Sequence, residues 1–254
     1  MNIVVCTRKL YKTTRMIRLF TVWYEAGNAA RQAELLECLQ RNLSNPFLGQ
    51  LLLWKHLATA PSPKPDAKLI ERTESRPPTF DDFFDWANAV CTPGDVAVIA
   101  NTDVWFDDSA ALAEKIAANQ FFALVRWESD GQIFSSPDGK PRPDSQDAWI
   151  FRTPIRPPKV GFGLGVPRND NALAYLLWRH GFDLRNPGKS IHIHHLHSSG
   201  VRTAIAKTKK YFIPPPWLHM DATEIHERGQ IYLLRKTWNL KWQFRRLRRK
   251  ITGR

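Results

Sequence analysis

Apolar and polar residues follow one another in blocks that predict strands and helices in alternation along the chain. Short runs rich in aliphatic and aromatic residues predict strands at 17–24, 47–54, 68–71, 96–100, 121–127 and 148–153. Apolar residues at helical spacing predict helices at 28–42, 79–90, 109–118 and 171–180. Strands that alternate with helices predict an α/β layered domain, Rossmann-like, with a mostly parallel central sheet.

Two of these helices have a clear start signal. Asn28 precedes the first helix, and Thr79 precedes a second helix whose first turn contains two aspartates. Side chains of Asn and Thr accept hydrogen bonds from the free amides of a first turn, and acidic residues there interact favourably with the helix dipole. Both residues are therefore predicted N-caps.

The stretch VAVIANTDVWFDD, residues 96–108, places polar residues between two apolar runs. Asn101, Thr102 and Asp103 follow the strand, and ligands of parallel α/β sheets bind beyond the carboxyl ends of strands. Asp103 is therefore well placed to hold Mg²⁺ or Mn²⁺, which bind proteins through one or two carboxylates together with water and substrate phosphates. Alternatively, Asp103 only caps the next turn. Asp107 and Asp108 are interpreted as the cap of the following helix.

The charge of the chain is concentrated at its two ends. The 254 residues include 37 Lys and Arg and 24 Asp and Glu, for a net charge of +13. Residues 1–18 and 235–254 contain five and nine basic residues without any acidic one, so the intervening segment has 23 basic and 24 acidic residues. A nearly neutral body makes a nucleic-acid-binding domain an unfavoured interpretation, because its basic residues would lie on the folded surface.

The two ends are predicted to be appendages of a domain at residues 16–210. Residues 1–15 are either a basic arm or precede a natural start at Met16. Residues 211–254 are predicted to be a basic, aromatic, helical tail, which either packs on the domain or contacts an anionic membrane through residues 235–254. No secretory signal is evident, and the three cysteines lie far apart, so we expect a cytoplasmic protein, at most peripheral to the inner face of the membrane.

Several segments, taken in order, resemble GT-A fold glycosyltransferases of the bacterial, nucleotide-diphospho-sugar transferase-like kind. TVWYEAGNAARQAELLECLQRNLSN resembles the first strand and helix of that fold, and VIANTDVWFDD resembles its DxD-type strand. GFGLGVPRNDNALAYLLWRHGFDLRNP resembles the later loop, acidic motif and helix, and SIHIHHLHSSG resembles the closing strand with its metal-binding histidine. The resemblance covers roughly residues 17–200.

This resemblance implies a divalent metal, Mn²⁺ or Mg²⁺, held by Asp103 with His195 or His197. Strand periodicity places residues 195 and 197 on one face and residues 192 and 194 on the other. The first position of the DxD-like triplet is Asn101 rather than Asp, which is a departure from the pattern. The implied nucleotide-sugar contacts are Tyr24, Glu25, Arg76, Asn101, Thr102 and Asp103. Arg76 is equally interpretable as a solvated loop arginine, and Glu25 as part of a helix-opening turn.

Two carboxylates are candidates for the catalytic base. Asp170 matches the position of the base in inverting members of the resembled family, although an Asp at a helix start is also a good N-cap. Asp147, just before a predicted strand, is the second candidate, with a loop acid as the alternative interpretation.

The implied function is transfer of a sugar from a nucleotide-diphosphate donor to a saccharide or lipid-linked acceptor, in surface-polysaccharide synthesis. Two alternatives stay open: a metal-dependent phosphoryl or nucleotidyl transferase, which uses the same carboxylate, and a non-enzymatic binding protein with a basic tail.

Overall fold

The structure is a computed structural model that describes residues 15–56, 63–198 and 213–235. The predicted N-terminal arm up to residue 14, and the tail from residue 236, lie outside the described residues. The strands are β1 (Ile17–Trp23), β2 (Leu48–His56), β3 (Leu69–Glu74), β4 (Val96–Ala100), β5 (Val104–Phe106), β6 (Gln120–Leu124), β7 (Ala148–Arg152), β8 (Asp183–Arg185), β9 (Ile193–His195), β10 (Trp217–Met220) and β11 (Ile231–Leu234). The helices are α1 (Ala29–Ser44), α2 (Phe80–Val90), α3 (Asn169–Arg179) and a 3-10 helix (Asp108–Lys115).

Seven strands form the main sheet, in the order β3-β2-β1-β4-β7-β6-β8. All neighbours are parallel except β7, which is antiparallel to both β4 and β6. Every residue of the central strand β4 is buried, as expected for a strand covered on both faces. The predicted α/β fold with a mostly parallel sheet is confirmed.

Helices cover both faces of this sheet, and successive strand residues contribute to opposite layers. Leu19 packs in the layer that contains Leu35 and Leu39 of α1. Its neighbour Phe20 packs in the aromatic layer beneath α2 and α3, which includes Phe80, Phe83, Phe84, Phe121, Phe151 and Leu173. The period of two along each strand therefore builds two separate cores.

The helix starts agree with the sequence at α1 and α2 and differ at two other places. The Asn28 side chain accepts from Arg31 N, and Thr79 forms a full capping box with Asp82. The helix predicted at 109–118 is a 3-10 helix that ends at Lys115, although Asp107 caps it as predicted. The third helix begins at Asn169 rather than residue 171, so Asp170 lies inside its first turn and is not the N-cap.

The prediction of a helical tail at 211–254 is wrong for its first part, which contains two strands. Strands β10 and β11 pair antiparallel, with Trp217 opposite Leu234 and Met220 opposite Ile231. Leu218 and Met220 are buried in the same core layer as α3. The apolar face of α3 explains the difference, since it needs a cover and this hairpin supplies one. Among the described residues, no helix has the length and apolar character needed to cross a bilayer.

A second, two-stranded sheet stands at the carboxyl end of β4. There β5 pairs antiparallel with β9, and Val104 lies opposite His195 while Phe106 lies opposite Ile193. This register brings the polar residues that flank β5 beside the histidines of β9.

Candidate functional site

The turn from β4 to β5 carries the polar triplet, and its first two side chains are bonded within the protein. The Thr102 hydroxyl donates to the carbonyl oxygen of Val22 at 2.7 Å. The Asn101 side-chain amide donates to Asp147 Oδ1 at 2.6 Å. Both contacts tie the turn to neighbouring strands, so these two side chains fix the loop that carries Asp103.

Asp103, just before β5, lies beside two histidines: His195 at the end of β9 and His197 two residues beyond it. His195 Nε2 is 3.5 Å and His197 Nδ1 is 3.7 Å from Asp103 Oδ2. The Leu196 amide donates to the Asp103 carbonyl oxygen at 2.9 Å, which fixes the register between them. The three side chains form one of two groups, among the described residues, whose ligand atoms are close enough to hold a metal ion. The structure thus brings together all three residues predicted as metal ligands.

A carboxylate behind His195 orients its ring. Glu128 Oε2 lies 3.1 Å from His195 Nδ1, and Arg126 in turn donates to Glu128 at 2.7 Å. Burial alone would raise the pKa of Glu128, but the hydrogen bonds from His195 and Arg126 hold it below its usual range. The ionised Glu128 accepts from Nδ1, so Nε2 is the nitrogen that faces Asp103. This carboxylate–histidine arrangement is common behind metal-binding imidazoles.

Arg31 of α1 is part of this cluster and was missed by the sequence analysis. Its guanidinium forms an ion pair with Asp103 Oδ2. It also donates to Glu34 at 2.8 Å and to the carbonyl oxygen of Leu196 at 3.0 Å. The signal that could have revealed it is a charged residue on the buried face of α1, in line with Leu35 and Leu39 at intervals of four residues.

These donors control the ionisation of Asp103. Burial would raise the pKa of its carboxyl, but hydrogen bonds from His195 and His197, together with the charge of Arg31, hold that pKa well below the usual range. Burial and the Asp103 charge in turn raise the pKa of the Tyr24 phenol, which also contacts Arg31. Asp103 is therefore an anion, and Tyr24 is a neutral neighbour that closes one side of it.

The cluster opens onto a cleft of about 720 Å³. His195 and His197 line it on one side, and Asp170 of α3 lines it on another. The other lining residues are mostly charged and include Arg126, Glu128, Arg142, Asp144 and Arg168. Three guanidinium groups line this one opening, and each also forms an ion pair with a carboxylate of the protein.

Asp170 is held in an environment that favours its protonated form. Its two oxygens accept from the amides of Asn171 at 2.9 Å and Gln146 at 3.2 Å. Burial raises the pKa of the Asp170 carboxyl to about 7, with a further contribution from the Asp147 charge, and the two amide bonds offset only part of this. A carboxyl with a pKa near neutrality in a cleft is suited to accept and release a proton.

The backbone immediately before Asp170 is unusual. Arg168 has a positive φ of 71°, a left-handed conformation that is uncommon for residues other than glycine. Its side chain donates to Asp144 and to Asn171, each at 3.1 Å. Upstream, a Cβ on Gly163 would lie 2.1 Å from the Pro78 carbonyl oxygen, so only glycine fits there. These contacts fix the start of α3 and with it the position of Asp170.

Asp147, the second candidate base, has both carboxylate oxygens engaged. Besides Asn101 on Oδ1, it accepts from Arg126 on Oδ2 at 3.0 Å. Only 9% of Asp147 is exposed. Its contacts connect the turn that carries Asp103 to an arginine of the cleft, which is the arrangement of a positioning residue.

None of the six predicted nucleotide contacts is among the residues that line this cleft. Arg76 is exposed and forms a two-bond ion pair with Asp82, at 2.6 and 2.7 Å, next to the Trp54 ring. Glu25 is exposed after the end of β1. The nucleotide-binding roles predicted for Arg76 and Glu25 stay predictions.

No protein-family profile and no curated protein matches the chain. Among solved structures, GalNAc-T7 with UDP, GalNAc and Mn²⁺ is similar at 10% identity and a TM-score of 0.48, over 79% of this chain and 45% of that chain. S. aureus TarS 1–349 is similar at 9% identity and a TM-score of 0.46, over 71% of this chain and 60% of that chain. Both are GT-A glycosyltransferases.

An inositol-1-phosphate CTP transferase from T. maritima is also similar, at 9% identity and a TM-score of 0.42, over 76% of this chain and 94% of that chain. The chain thus spans about half the length of the two glycosyltransferase structures. All three likenesses are likenesses of fold.

Proposed function

We propose that this protein is a glycosyltransferase that moves a sugar from a nucleotide-diphosphate donor to a saccharide or lipid-linked acceptor. The observation that carries the proposal is the cluster of Asp103, His195 and His197, because both of its histidines line the same cleft as Asp170. An anionic anchor and a carboxyl with a near-neutral pKa on one opening are the two groups that such a transfer needs. The ordered motifs of the sequence support the same class.

The donor atoms of the cluster fit a divalent transition metal. One carboxylate and two imidazoles favour an ion such as Mn²⁺ over Mg²⁺, which prefers oxygen ligands alone. When bound, the metal supplies Lewis-acid stabilisation of the departing nucleoside diphosphate. Asp103, His195 and His197 are the residues that would hold it, and Glu128 orients the ring of His195 for that purpose.

Asp170 is the proposed general base. Its carboxylate takes the proton of an acceptor hydroxyl as that oxygen bonds to the anomeric carbon, while the bond from that carbon to the donor phosphate oxygen breaks. The pair of electrons leaves with the nucleoside diphosphate, and the reaction inverts the anomeric centre. A base with a pKa of about 7 is about half ionised at neutral pH, and its carboxylate is basic enough to assist this transfer.

The arginines of the cleft supply the charge that an anionic donor requires. Arg142 donates to Asp144 in a fork at 2.8 and 2.9 Å, and Arg168 shares the same carboxylate. These ion pairs hold both guanidiniums in place beside the cluster, so they meet a diphosphate without first being ordered. Arg126 is held in the same way by Glu128 and Asp147.

The wider setting of the reaction belongs to the same proposal. A lipid-linked acceptor for surface-polysaccharide synthesis would be reached by a cytoplasmic enzyme at the inner face of the membrane. The basic residues from 235 onward supply charge for such a contact.

A thermal-shift screen of UDP, GDP, CMP and dTDP, each with and without Mn²⁺, tests the proposal. A ligand that binds only the folded state raises its Tm. We expect at least one nucleoside diphosphate to raise the Tm more with Mn²⁺ than without it. Asp103→Asn should remove the metal-dependent part, whereas Asp138→Asn, a change at an exposed loop acid, should leave it intact. The absence of any shift for every nucleotide would refute the proposal.

A metal-dependent nucleotidyl transferase is the second candidate, because three arginines beside the cluster also suit a triphosphate. Incubation with nucleotide sugars and, separately, with nucleoside triphosphates distinguishes the two. Release of nucleoside diphosphate from a nucleotide sugar favours the glycosyltransferase, and release of pyrophosphate from a triphosphate favours the alternative. A binding protein that acts only through its basic tail would show neither activity and would lose function on removal of residues 236–254.

A further inference from the structure

A second histidine cluster lies on the opposite face of β9. His192 Nδ1 is 3.3 Å and His194 Nε2 is 2.9 Å from the same oxygen of Asp107, Oδ2. The three residues are the second group, within the part of the chain that the structure describes, whose ligand atoms lie within 4.8 Å of one another. They do not line the cleft of the proposed active site, because residues 192 and 194 point away from residues 195 and 197.

A backbone contact fixes which nitrogen of His192 faces Asp107. Its Nε2 lies 3.0 Å from the carbonyl oxygen of Lys189, which can only accept, so Nε2 donates there. Nδ1 is then the nitrogen that faces the Asp107 carboxylate, at 3.3 Å. An imidazole that binds metal through one nitrogen and donates to a carbonyl through the other has the usual tautomer of a protein ligand.

The carboxylate of Asp107 is oriented before any cation arrives. The Ser109 amide and hydroxyl both donate to Oδ1. Oδ1 is thereby occupied as the cap of the 3-10 helix, and Oδ2 is directed toward the two imidazoles.

The rings are also held by their neighbours. His194 stacks on Trp105, with centroids 4.3 Å apart and an angle of 18° between the planes. His192 packs on Trp127, with centroids 4.5 Å apart. A tetrahedral ion with bonds of about 2.05 Å to its ligands separates those ligands by about 3.3 Å. The two spacings to Asp107 Oδ2 are close to this value, so a small movement completes the site.

We propose that Asp107, His192 and His194 bind a divalent transition metal of the zinc class, with the remaining coordination position open to solvent. Two imidazoles and one carboxylate are ligands that suit Zn²⁺ and similar ions. His192 and Asp107 line a surface pocket of about 680 Å³, which gives the ion a path of entry. The bound ion would connect the end of β5 to the start of β9, and so stabilise the small sheet that also carries Asp103 and His195.

The test uses tag-free, full-length protein treated with a chelator and then titrated with Zn²⁺ by calorimetry. A background variant with His195→Ala and His197→Ala removes the imidazoles of the other cluster, so the result does not depend on the proposed glycosyltransferase activity. We expect this background to bind about one equivalent of Zn²⁺ and to gain thermal stability from it. Addition of Co²⁺ should give the visible absorption of a four-coordinate ion.

Adding His192→Ala to that background should weaken Zn²⁺ binding by at least about tenfold. Adding His226→Ala instead, at an exposed histidine far along the chain, should leave the binding unchanged. Asp107→Asn serves as the second variant if His192→Ala does not fold, since asparagine keeps the acceptor for Ser109. Zinc binding that is absent in the background, or unaffected by the variants of the cluster that fold, would overturn the proposal.

Discussion

Arg31 forms a buried ion pair with Asp103, on the carboxylate oxygen that His195 and His197 also approach. The side chains of Arg31 and Asp103 are 6% and 18% exposed. A guanidinium therefore already neutralises the carboxylate that the proposed metal needs. Arg31 and the proposed metal compete for the charge of Asp103. The Arg31–Asp103 ion pair would therefore lower the affinity of Asp103 for a metal.

The first prediction concerns that competition. Arg31→Gln leaves Asp103 and Glu34 without their buried cation, and loss of one partner of a buried pair costs about 3–5 kcal/mol of the free energy of unfolding. Mn²⁺ should then restore more stability in the variant than it adds to the wild type, because the freed carboxylate binds it more tightly. Thermal unfolding with and without Mn²⁺ measures both effects. Arg41→Gln, which breaks only an exposed pair with Glu37, is the control. Equal Mn²⁺ shifts in wild type and Arg31→Gln would contradict the competition.

A second prediction tests the carboxylate behind His195. Glu128→Gln can still accept a hydrogen bond from Nδ1 but no longer carries the charge that supports a metal-binding imidazole. Loss of such a partner weakens metal affinity by about 10- to 100-fold. A calorimetric titration with Mn²⁺ should show this loss of affinity. The control variant Glu114→Gln, at an exposed position of the 3-10 helix, should show none. If Glu128→Gln binds Mn²⁺ as the wild type does, His195 is not a ligand.

The fold could be predicted from the sequence where local patterns decide the structure. The buried run of β4, the caps Asn28 and Thr79, and the period of two that separates His192 and His194 from His195 and His197 are all local signals. They gave the layered α/β class and the triplet that carries Asp103. Asp103 was found because it follows a recognisable strand, whereas His195 and His197 were singled out by the resemblance to GT-A glycosyltransferases.

The remainder depends on contacts between distant segments, which a pattern along the chain does not contain. Arg31 reaches Asp103 across 72 positions, and Asp147 meets Asn101 across 46. The hairpin of β10 and β11 packs against the apolar face of α3, a contact between distant segments, whereas the helical tail was predicted from the pattern of residues 238–251. Asp170 was singled out in the sequence as a candidate base, which stays a prediction, and its location inside the first turn follows the left-handed Arg168 and not the capping preference of aspartate.

The third prediction concerns the catalytic role of Asp170. Asp170→Asn removes the base and should lower the transfer rate by about 10²- to 10⁴-fold, while nucleotide binding in the thermal-shift assay is retained. In the wild type the active form is the carboxylate, so the rate should rise with pH through the pKa of about 7 and level off above it. A rate measurement from pH 5.5 to 8.5 checks the profile. Asp144→Asn is a useful comparison, because it alters an ionised acid of the same cleft without removing the proposed base. A profile that is flat across this range in the wild type would exclude Asp170 as the base.

The raised pKa of Asp170 leads to a fourth prediction, which concerns the stability of the fold and does not depend on the reaction. Because the folded-state pKa of Asp170, about 7, is raised above the value of an unfolded aspartate, about 3.9, the folded protein binds the proton more tightly. The contribution of this group is therefore fully present below about pH 4 and is lost as the pH rises toward 7. Asp170→Asn cannot ionise, so it does not lose this contribution. Between about pH 4 and 7 the wild type should therefore become less stable relative to the variant, and above about pH 7 the difference in their free energies of unfolding should stay constant. Urea unfolding of both proteins between pH 4 and 8 measures the difference. Asp138→Asn, at an exposed loop position, should show no such trend. A difference for Asp170→Asn that does not change with pH would show that the carboxyl titrates as an ordinary one.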